Sequence, residues 1–329
     1  MMTASPELPA RTPMPVTAFD VLAGAGTDDL GFQFGAMACE CEVRIVGMSR
    51  RKAEPIARLA IDEVRRIESK FSRYRAASVV SRINALAGSG QALAVDEETA
   101  HLLDFAAELH AASDGLFDIT SGILRQAWDF RAKRIPRAAA LQALLPRIGW
   151  SQVVWKGHCI ALPQPGMELD FGGYGKEYAA DRAATVLQEH GVRHGLVNLG
   201  GDIRVAGPRP GDEPWMLGIQ HPRAPQQMLA RMPLTYGALA TSGDYERFFD
   251  LDGVRYCHVL DPRTGWPVKS WQSVSVVAPA CLAAGALTTI AMLKGAGAIA
   301  FLQSQNVGYL AVDAQGLVHR DAAASSVLN

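Results

Sequence analysis

The segment from Leu169 to Asp181, LDFGGYGKEYAAD, combines residue types that could bind a phosphate group. An acid and two adjacent glycines stand where an apolar run gives way to a helical pattern, and a lysine follows them. Two glycines let the backbone approach a ligand closely, and the N–H groups at the start of a helix attract an anion. Lys176 can neutralise a phosphate as a point charge. The segment therefore predicts a nucleotide site.

The same segment also fits a structural turn, which a Gly-Gly corner before a helix forms more often than a ligand site. A P-loop would need glycine at position 170, where Asp170 stands, and Ser or Thr after the lysine, where Glu177 stands. A Rossmann motif would need a complete GxGxxG. Taken alone, the segment leaves both interpretations open.

Three later segments change this balance, and they read HGLVNLGGDIRVAG at 194–207, ALATSGDY at 238–245 and YCHVLDPRTGWP at 256–267. Together with DFGGYGK, and in this order, they resemble the motifs of the FAD:protein FMN transferase family, often called ApbE. Earlier segments also match, namely Met37-Ala38-Cys39, FSRYRAASVVSRIN at 71–84 and DGLFDITSG at 114–122. The resemblance runs from about Phe32 to the C-terminus. Six or seven matches in register make it specific.

The resemblance implies both an activity and a fold. Members of this family split FAD, attach its FMN half through a phosphoester to a Thr or Ser of a partner flavoprotein, and release AMP. It therefore implies a transferase with FAD as substrate, Mg²⁺ as the metal and an acceptor flavoprotein as partner. It also implies an α+β fold with two related T-fold-like lobes of antiparallel sheet with packed helices, and a flavin nucleotide cleft between the lobes.

Individual site residues follow from the same resemblance. Asp170 and Lys176 match positions that contact the flavin nucleotide, and Gly173 matches the position whose backbone carbonyl ligates magnesium. A carbonyl is a hard oxygen that suits a hard cation. The residues that match positions framing the flavin and the adenine are Met37, Tyr74, Phe117 and Asp118. Tyr74 could stack on a ring, although an aromatic side chain serves about as often as a core residue.

His258 is the candidate general base, and it is also a predicted nucleotide contact. An ordinary pKa near 6.5 lets a histidine take the proton from a target hydroxyl as that hydroxyl attacks phosphorus. A lone histidine is more often a hydrogen-bonded structural residue, but the motif around His258 favours the catalytic interpretation. The adjoining Asp261–Gly265 predicts a tight turn, in which Arg263 is a candidate phosphate contact and Thr264 can bond the turn's own backbone.

The last motif departs from the family. Members usually carry ADAxxT before a helix, and its Asp and Thr complete the magnesium site, whereas this chain reads AGALTT at 284–289. Thr289 is retained, but Gly285 replaces the carboxylate, which predicts a weakened metal site because magnesium prefers carboxylates and phosphates. Three explanations are open: the pyrophosphate with Asp202 or Asp244 holds the metal, the metal chemistry is altered, or the chain is an FAD-binding relative with reduced or no transferase activity. A flavin-dependent oxidoreductase is a further alternative.

The composition is typical of a soluble enzyme. Of 329 residues, 49% are hydrophobic and 20% are charged, and the net charge of −1 argues against a nucleic-acid partner. Residues 1–31 contain neither a basic start followed by an apolar run nor a lipid-attachment cysteine. We therefore predict a disordered segment at 1–31, a transferase domain at 32–329 and a cytoplasmic location, unlike the exported lipoproteins of the family. The sequence contains no run of ~18 uncharged apolar residues, so no membrane span is predicted.

Hydrophobic periodicity predicts helices and antiparallel strands. Apolar residues recur at helical spacing through Ile56–Phe71 and Leu102–Leu109, and they alternate as in strands around Val43 and Leu217. Hairpins are predicted at Asp252-Gly253 and at 313–316. Five scattered cysteines without a CxxC pair argue against a zinc site, and Cys39 and Cys41 would share one face of a strand. These elements favour an α+β architecture over a doubly wound sheet.

Overall fold

The structure is a computed structural model that describes residues 20–23 and 28–321. Its strands are β1 (Asp20–Ala23), β2 (Asp29–Ala36), β3 (Cys39–Val46), β4 (Leu93–Ala94), β5 (Val154–Lys156), β6 (Cys159–Ala161), β7 (Gly195–Leu199), β8 (Asp202–Gly207), β9 (Trp215–His221), β10 (Ala224–Leu234), β11 (Gly237–Gly243), β12 (Phe248–Leu251), β13 (Val254–Cys257), β14 (Trp271–Ala278), β15 (Gly308–Asp313) and β16 (Val318–Arg320). Its α-helices are α1 (Arg50–Phe71), α2 (Val79–Ala85), α3 (Glu97–Ala112), α4 (Ala138–Leu144), α5 (Gly175–Glu189), α6 (Cys281–Lys294) and α7 (Ala298–Ser304).

One antiparallel sheet organises the chain. Its nine strands lie in the order β1-β2-β3-β7-β8-β11-β14-β15-β16. The sheet is therefore continuous from β1 to β16. The pairing between β8 and β11 in its middle is short, and it joins residues 203–205 to residues 237–239. Antiparallel strands with packed helices confirm the predicted α+β class.

The two faces of the sheet bury different partners because side chains alternate along each strand. Helices α1, α5 and α6 pack on one face, where α6 lies against β11 and its residues Ala238 and Ala240. The β9-β10 hairpin covers the other face, to which Leu239 of the same strand points. The small alanines on the helical face let α6 lie close to β11, and this brings α5 and α6 to the centre of the molecule.

The elements predicted from periodicity are confirmed. The pattern through Ile56–Phe71 is the buried side of α1, and Leu102–Leu109 belongs to α3. Asp252 and Gly253 link β12 to β13, and both have the positive φ that a two-residue hairpin turn requires. The predicted hairpin at 313–316 is also present, as a longer turn between β15 and β16 in which Gly316 has a positive φ.

The most apolar stretch of the chain is internal to the fold. By length and mean hydropathy (1.5), Cys281–Ser304 is the one helical stretch among residues 20–23 and 28–321 that could cross a membrane. Half of its most apolar window is buried inside the protein, and core helices pass the same test, so this indication is weak. Gly295, with a φ of 54°, interrupts the stretch between α6 and α7.

The predicted disordered segment at 1–31 lies largely outside the described residues. Its described parts form β1 and the start of β2, which pair with each other. The cytoplasmic location depends on this segment and stays a prediction.

Candidate active site

The predicted phosphate-binding segment is a loop that leads into α5. The backbone N–H of Asp170 donates to the carbonyl of Ile119 (2.8 Å), and the Asp170 carboxylate accepts from the N–H of Gly172 (2.9 Å). A Cβ atom on Gly173 would lie 3.2 Å from the Phe117 ring, so the second glycine allows the loop to pack tightly. The loop therefore holds Asp170 in place and presents the first turn of α5.

Arg73 connects two of the predicted flavin-binding residues. Its guanidinium pairs with the Asp170 carboxylate, lies over the Tyr74 ring (5.0 Å to the centroid) and donates to the Tyr74 hydroxyl (2.9 Å). Tyr74 is 76% exposed, so the alternative interpretation of this residue as part of the core is wrong. The structure thus brings an exposed aromatic ring, a cation and an acid together.

Three other predicted flavin or adenine contacts stand in structural roles. Phe117 is buried, with its ring 6.0 Å from that of Tyr174. The Asp118 carboxylate is also buried, and it accepts from the backbone N–H groups of Thr120 and Trp150, each at 2.8 Å. Met37 occupies the turn between β2 and β3, and its N–H donates to the carboxylate of Glu68 (3.0 Å). Their contacts with a nucleotide stay predictions.

Lys176 lies in the first turn of α5 and forms an ion pair with Asp202 of β8 (2.6 Å). Burial opposes the charge of Lys176, but the neighbouring carboxylates of Asp202 and Glu177 outweigh it and raise the Lys176 pKa above its usual range. Asp202 also accepts from the N–H of Thr241 (3.2 Å). Lys176 is therefore a fixed cation at the start of a helix, as a phosphate site requires.

Glu177, the next residue, is a buried acid with one unpartnered oxygen. It is 7% exposed, and its Oε2 atom is buried with no hydrogen-bond partner. Burial, followed by the charge of Asp202, raises the Glu177 pKa well above its usual range. A Cβ atom on Gly285 of α6 would lie only 2.5 Å from the Glu177 Cγ atom. The Glu177 side chain therefore fills the space that a side chain at position 285 would need.

Of the predicted metal residues, Gly285 lies against Glu177, Thr289 is on the same helix as Gly285, and Gly173 packs against Phe117. Gly285 offers no side chain, and its carbonyl accepts from the Thr288 hydroxyl (2.8 Å). The Ser242 hydroxyl bonds to Thr288 (2.8 Å) and is 3.3 Å from the Thr289 hydroxyl. Residues 20–23 and 28–321 contain no group of three or more His, Cys, Asp or Glu residues that could hold a metal ion. Any metal here must also use hydroxyls, carbonyls or a substrate.

The two acids considered as replacement metal ligands differ in their surroundings. Asp244 is bound by both Nη atoms of Arg223 (2.6 Å each), and Arg255 lies 3.7 Å away. Asp202, in contrast, lies beside Lys176 and Glu177. Of the two, the surroundings favour Asp202.

His258, the candidate base, follows β13 directly. Its backbone N–H donates to the carbonyl of Arg247 (2.9 Å), and the residue is exposed when all its atoms are counted. Desolvation by the surrounding protein, followed by the positive charges of Arg247 and Lys176, lowers the His258 pKa to about 4. The imidazole is therefore neutral at neutral pH and able to accept a proton.

Comparison with known proteins identifies the family. The sequence profile of the ApbE family matches residues 37–311. This chain belongs to the ApbE family. An FAD:protein FMN transferase from Vibrio cholerae is 32% identical over 236 residues, which cover 70% of this chain and 70% of that protein. One from Treponema pallidum is 34% identical over 278 residues, which cover 78% and 76%.

The fold of this ApbE family member also matches a solved relative. The crystal structure of the ApbE protein from Thermotoga maritima superposes with a TM-score of 0.84 at 31% identity, and the match covers 92% of this chain and 99% of that one. The family and the α+β fold predicted from the motifs are thus confirmed.

The turn after His258 is held by contacts of Thr264 and Arg263. Thr264 bonds the turn's own backbone as predicted, since its hydroxyl accepts from the N–H of Trp266 (3.2 Å). Arg263 donates to the backbone carbonyl of Asp114 (2.5 Å), and its contact with a phosphate stays a prediction. The neighbouring Cys257 is buried, and burial raises its pKa to about 11, so it is a neutral thiol.

Sequence reasoning missed two residues of this site. Arg73 lies within a matched segment, but its pairing with Asp170 spans a long stretch of chain and left no local signal. Glu177 entered only as a residue that ruled out a P-loop. Nothing in the sequence links Glu177 to Gly285, because the two residues lie on different helices.

Proposed function

We propose that this chain is an FAD:protein FMN transferase that moves FMN from FAD to a Thr or Ser hydroxyl of a partner flavoprotein and releases AMP. The observation that carries the proposal is the placement of Lys176. It is a charged lysine at the start of α5, and it lies close enough to His258 for its charge to lower the His258 pKa. A cation for phosphate and an uncharged base in one region are what phosphoryl transfer requires.

The nucleotide would bind across the loop and the first turn of α5. Lys176, at the positive end of that helix, suits the pyrophosphate. The Asp170 carboxylate can accept hydrogen bonds from ribityl or ribose hydroxyls, and its pairing with Arg73 holds it in position. Tyr74 offers an exposed face on which a ring can stack. These contacts orient the phosphorus of the FMN half for attack.

The transfer is a displacement at that phosphorus. The acceptor hydroxyl oxygen forms the new P–O bond while the bond to the AMP half breaks, and AMP leaves with the bridging oxygen. A ring nitrogen of His258 takes the hydroxyl proton, which it can do because its lowered pKa leaves it unprotonated. Lys176 offsets the negative charge on the phosphate oxygens.

We also propose that Mg²⁺ assists this reaction. The residues present fit such an ion, since Glu177 has an unpartnered buried oxygen and the Thr289 hydroxyl lies on the adjoining helix. One or two carboxylates together with substrate phosphates are a usual magnesium environment. When bound, the ion would neutralise pyrophosphate charge and polarise the phosphorus–oxygen bonds.

The proposal is tested by incubating the purified chain with FAD, Mg²⁺ and a flavoprotein domain that carries the target Thr or Ser. We expect in-gel flavin fluorescence on the acceptor and one equivalent of AMP. FMN in place of FAD is the control, and it should give no labelling. Tight FAD binding without labelling would instead favour the inactive relative, and reduction of bound FAD by a nicotinamide donor would favour an oxidoreductase.

A further inference from the structure

Glu177 has a buried carboxyl oxygen that no hydrogen-bond donor among the described residues satisfies. It lies on the buried side of α5 where that helix meets α6, and its Oε2 atom contacts no hydrogen-bond donor. The Glu177 side chain also interacts with the Asp202 carboxyl group, but a buried carboxyl oxygen without a partner is costly and rare in native proteins. The nearest cation, Lys176, is already paired with Asp202.

The neighbouring helix is shaped to admit this carboxylate. An ideal Cβ on Gly285 would lie 2.5, 2.7 and 2.8 Å from the Cγ, Oε1 and Cδ atoms of Glu177. Contacts this short force something to move, so a side chain at position 285 would displace Glu177 from this space. Gly285 thus makes room for Glu177.

Two oxygen-bearing groups lie near this space, one on β8 and one on α6. Asp202, which is 3% exposed, lies close enough to raise the pKa of Glu177 further. On α6, Thr289 presents a hydroxyl that is 3.3 Å from the hydroxyl of Ser242. Carboxylates and hydroxyls are hard ligands that suit Mg²⁺ or Mn²⁺.

We infer that Glu177 supplies the carboxylate ligand of the divalent cation used in the proposed transfer reaction, and that Gly285 is the small residue that accommodates it. The inference rests on the proposed function for the identity of the reaction. The unpartnered oxygen and the shared space carry it independently of that reaction.

A different account of the same geometry gives opposite results. If Glu177 is simply a protonated acid that packs between two helices, a glutamine of the same shape should replace it without affecting any metal. If Glu177 is a ligand, the same replacement removes the charged oxygen. Glu177→Gln therefore separates the two accounts with little change in volume.

The first experiment measures Mn²⁺ binding by the electron paramagnetic resonance signal of the free ion, with saturating FAD present. We expect Glu177→Gln to weaken Mn²⁺ binding at least about tenfold, since even the loss of an outer-shell partner costs about 10–100-fold. Glu246→Gln is the matched control. Glu246 is an exposed acid that also senses the charge of Lys176, so its variant removes the same charge from the region. Equal Mn²⁺ affinity in the parent and Glu177→Gln would overturn the inference.

The second experiment moves the carboxylate to the other helix. Gly285→Asp alone should lose stability because its side chain collides with Glu177. The double variant Glu177→Gly with Gly285→Asp removes that collision, and we expect it to bind Mn²⁺ more tightly than Glu177→Gly does. Circular dichroism confirms that each variant is folded. A folded double variant that binds Mn²⁺ no better than Glu177→Gly would contradict a metal at this position.

The two proposals fail in different ways. Metal binding is read without turnover, whereas the proposed function is read from FMN on the acceptor. A parent protein that binds Mn²⁺ through Glu177 but transfers nothing would overturn the proposed function alone. A parent that transfers FMN yet holds no Mn²⁺ would overturn the inference alone.

Discussion

Lys176 in the first turn of α5 and Asp202 at the start of β8 form an ion pair in which Nζ and Oδ2 are 2.6 Å apart. The lysine side chain is 29% exposed and the aspartate side chain 4%. The pair therefore fixes the lysine from its buried side and leaves its other side open. A phosphate can then approach Lys176 without breaking the pair, and the nearby Glu177 adds to the negative charge that Lys176 must balance.

Lys176→Met should weaken both FAD binding and folding. We expect FAD affinity to fall by about 1–3 kcal/mol, the usual range for loss of a charged hydrogen-bond partner. Stability should fall too, by less than the ~3–5 kcal/mol typical of breaking a fully buried pair, since Lys176 is partly exposed. Calorimetry with FAD and urea unfolding measure the two effects.

Adding Asp202→Asn to Lys176→Met separates the effect on FAD binding from the effect on stability. The double variant should regain stability because it no longer buries an unpaired charge, but it should not regain FAD affinity. Recovery of FAD binding in the double variant would show that Lys176 serves Asp202 and not the nucleotide.

His258→Asn should lower FMN transfer by about 10²–10⁴, the typical contribution of a general base, with little change in FAD affinity. Transfer at the parent's rate would mean that another group accepts the proton. Single-turnover labelling of the acceptor measures the rate, and calorimetry measures the affinity.

The same variant should also change how stability depends on pH. The His258 pKa of about 4 lies below the ordinary value of 6.5, so the unfolded chain binds more protons between these values. The contribution of His258 to the parent's free energy of unfolding is therefore fully present above pH 6.5 and is lost as the pH falls towards 4. His258→Asn should show a shallower loss in urea unfolding across that interval. An unchanged slope would mean that the histidine is fully hydrated.

Tyr74→Ala should separate binding from folding. Because Tyr74 is 76% exposed, the free energy of unfolding should change by no more than about 0.5 kcal/mol. FAD affinity should fall by about 0.5–1.5 kcal/mol if the ring stacks on the nucleotide. Leu59→Ala, on the exposed side of α1, is the control and should change neither quantity. Equal FAD affinity in parent and Tyr74→Ala would remove Tyr74 from the site.

Local patterns account for what the sequence predicted well. The periodicity of α1, the hairpin at Asp252-Gly253 and the glycine loop before α5 each depend on neighbouring residues, so a short window contains the whole signal. The order of several such motifs then identified the family, and with it the fold and the region around Lys176.

The parts that escaped prediction depend on residues far apart in the chain. The departure at Gly285 read as the loss of a ligand because nothing in the sequence shows that Glu177, on another helix, fills the same space. Asp202 and Asp244 looked equivalent until the structure placed Arg223 against Asp244. Packing between helices and ion pairs across strands set these outcomes, and neither is encoded in a local pattern.

Asp118 offers the sharpest test of where the resemblance and the geometry disagree. The family motif makes it a nucleotide contact, whereas in the structure its carboxylate accepts from Thr120 and Trp150 inside the protein. We expect Asp118→Ala to cost about 1–3 kcal/mol for each buried N–H group left without an acceptor. Asp250→Ala, which removes an exposed acid paired with Arg255, is the control and should cost about 0–1 kcal/mol. Urea unfolding measures both. FAD affinity of the folded Asp118 variant, measured by calorimetry well below the unfolding transition, should fall less than in Lys176→Met. A variant as stable as the parent that has lost FAD binding would show instead that Asp118 turns towards the nucleotide when FAD is bound.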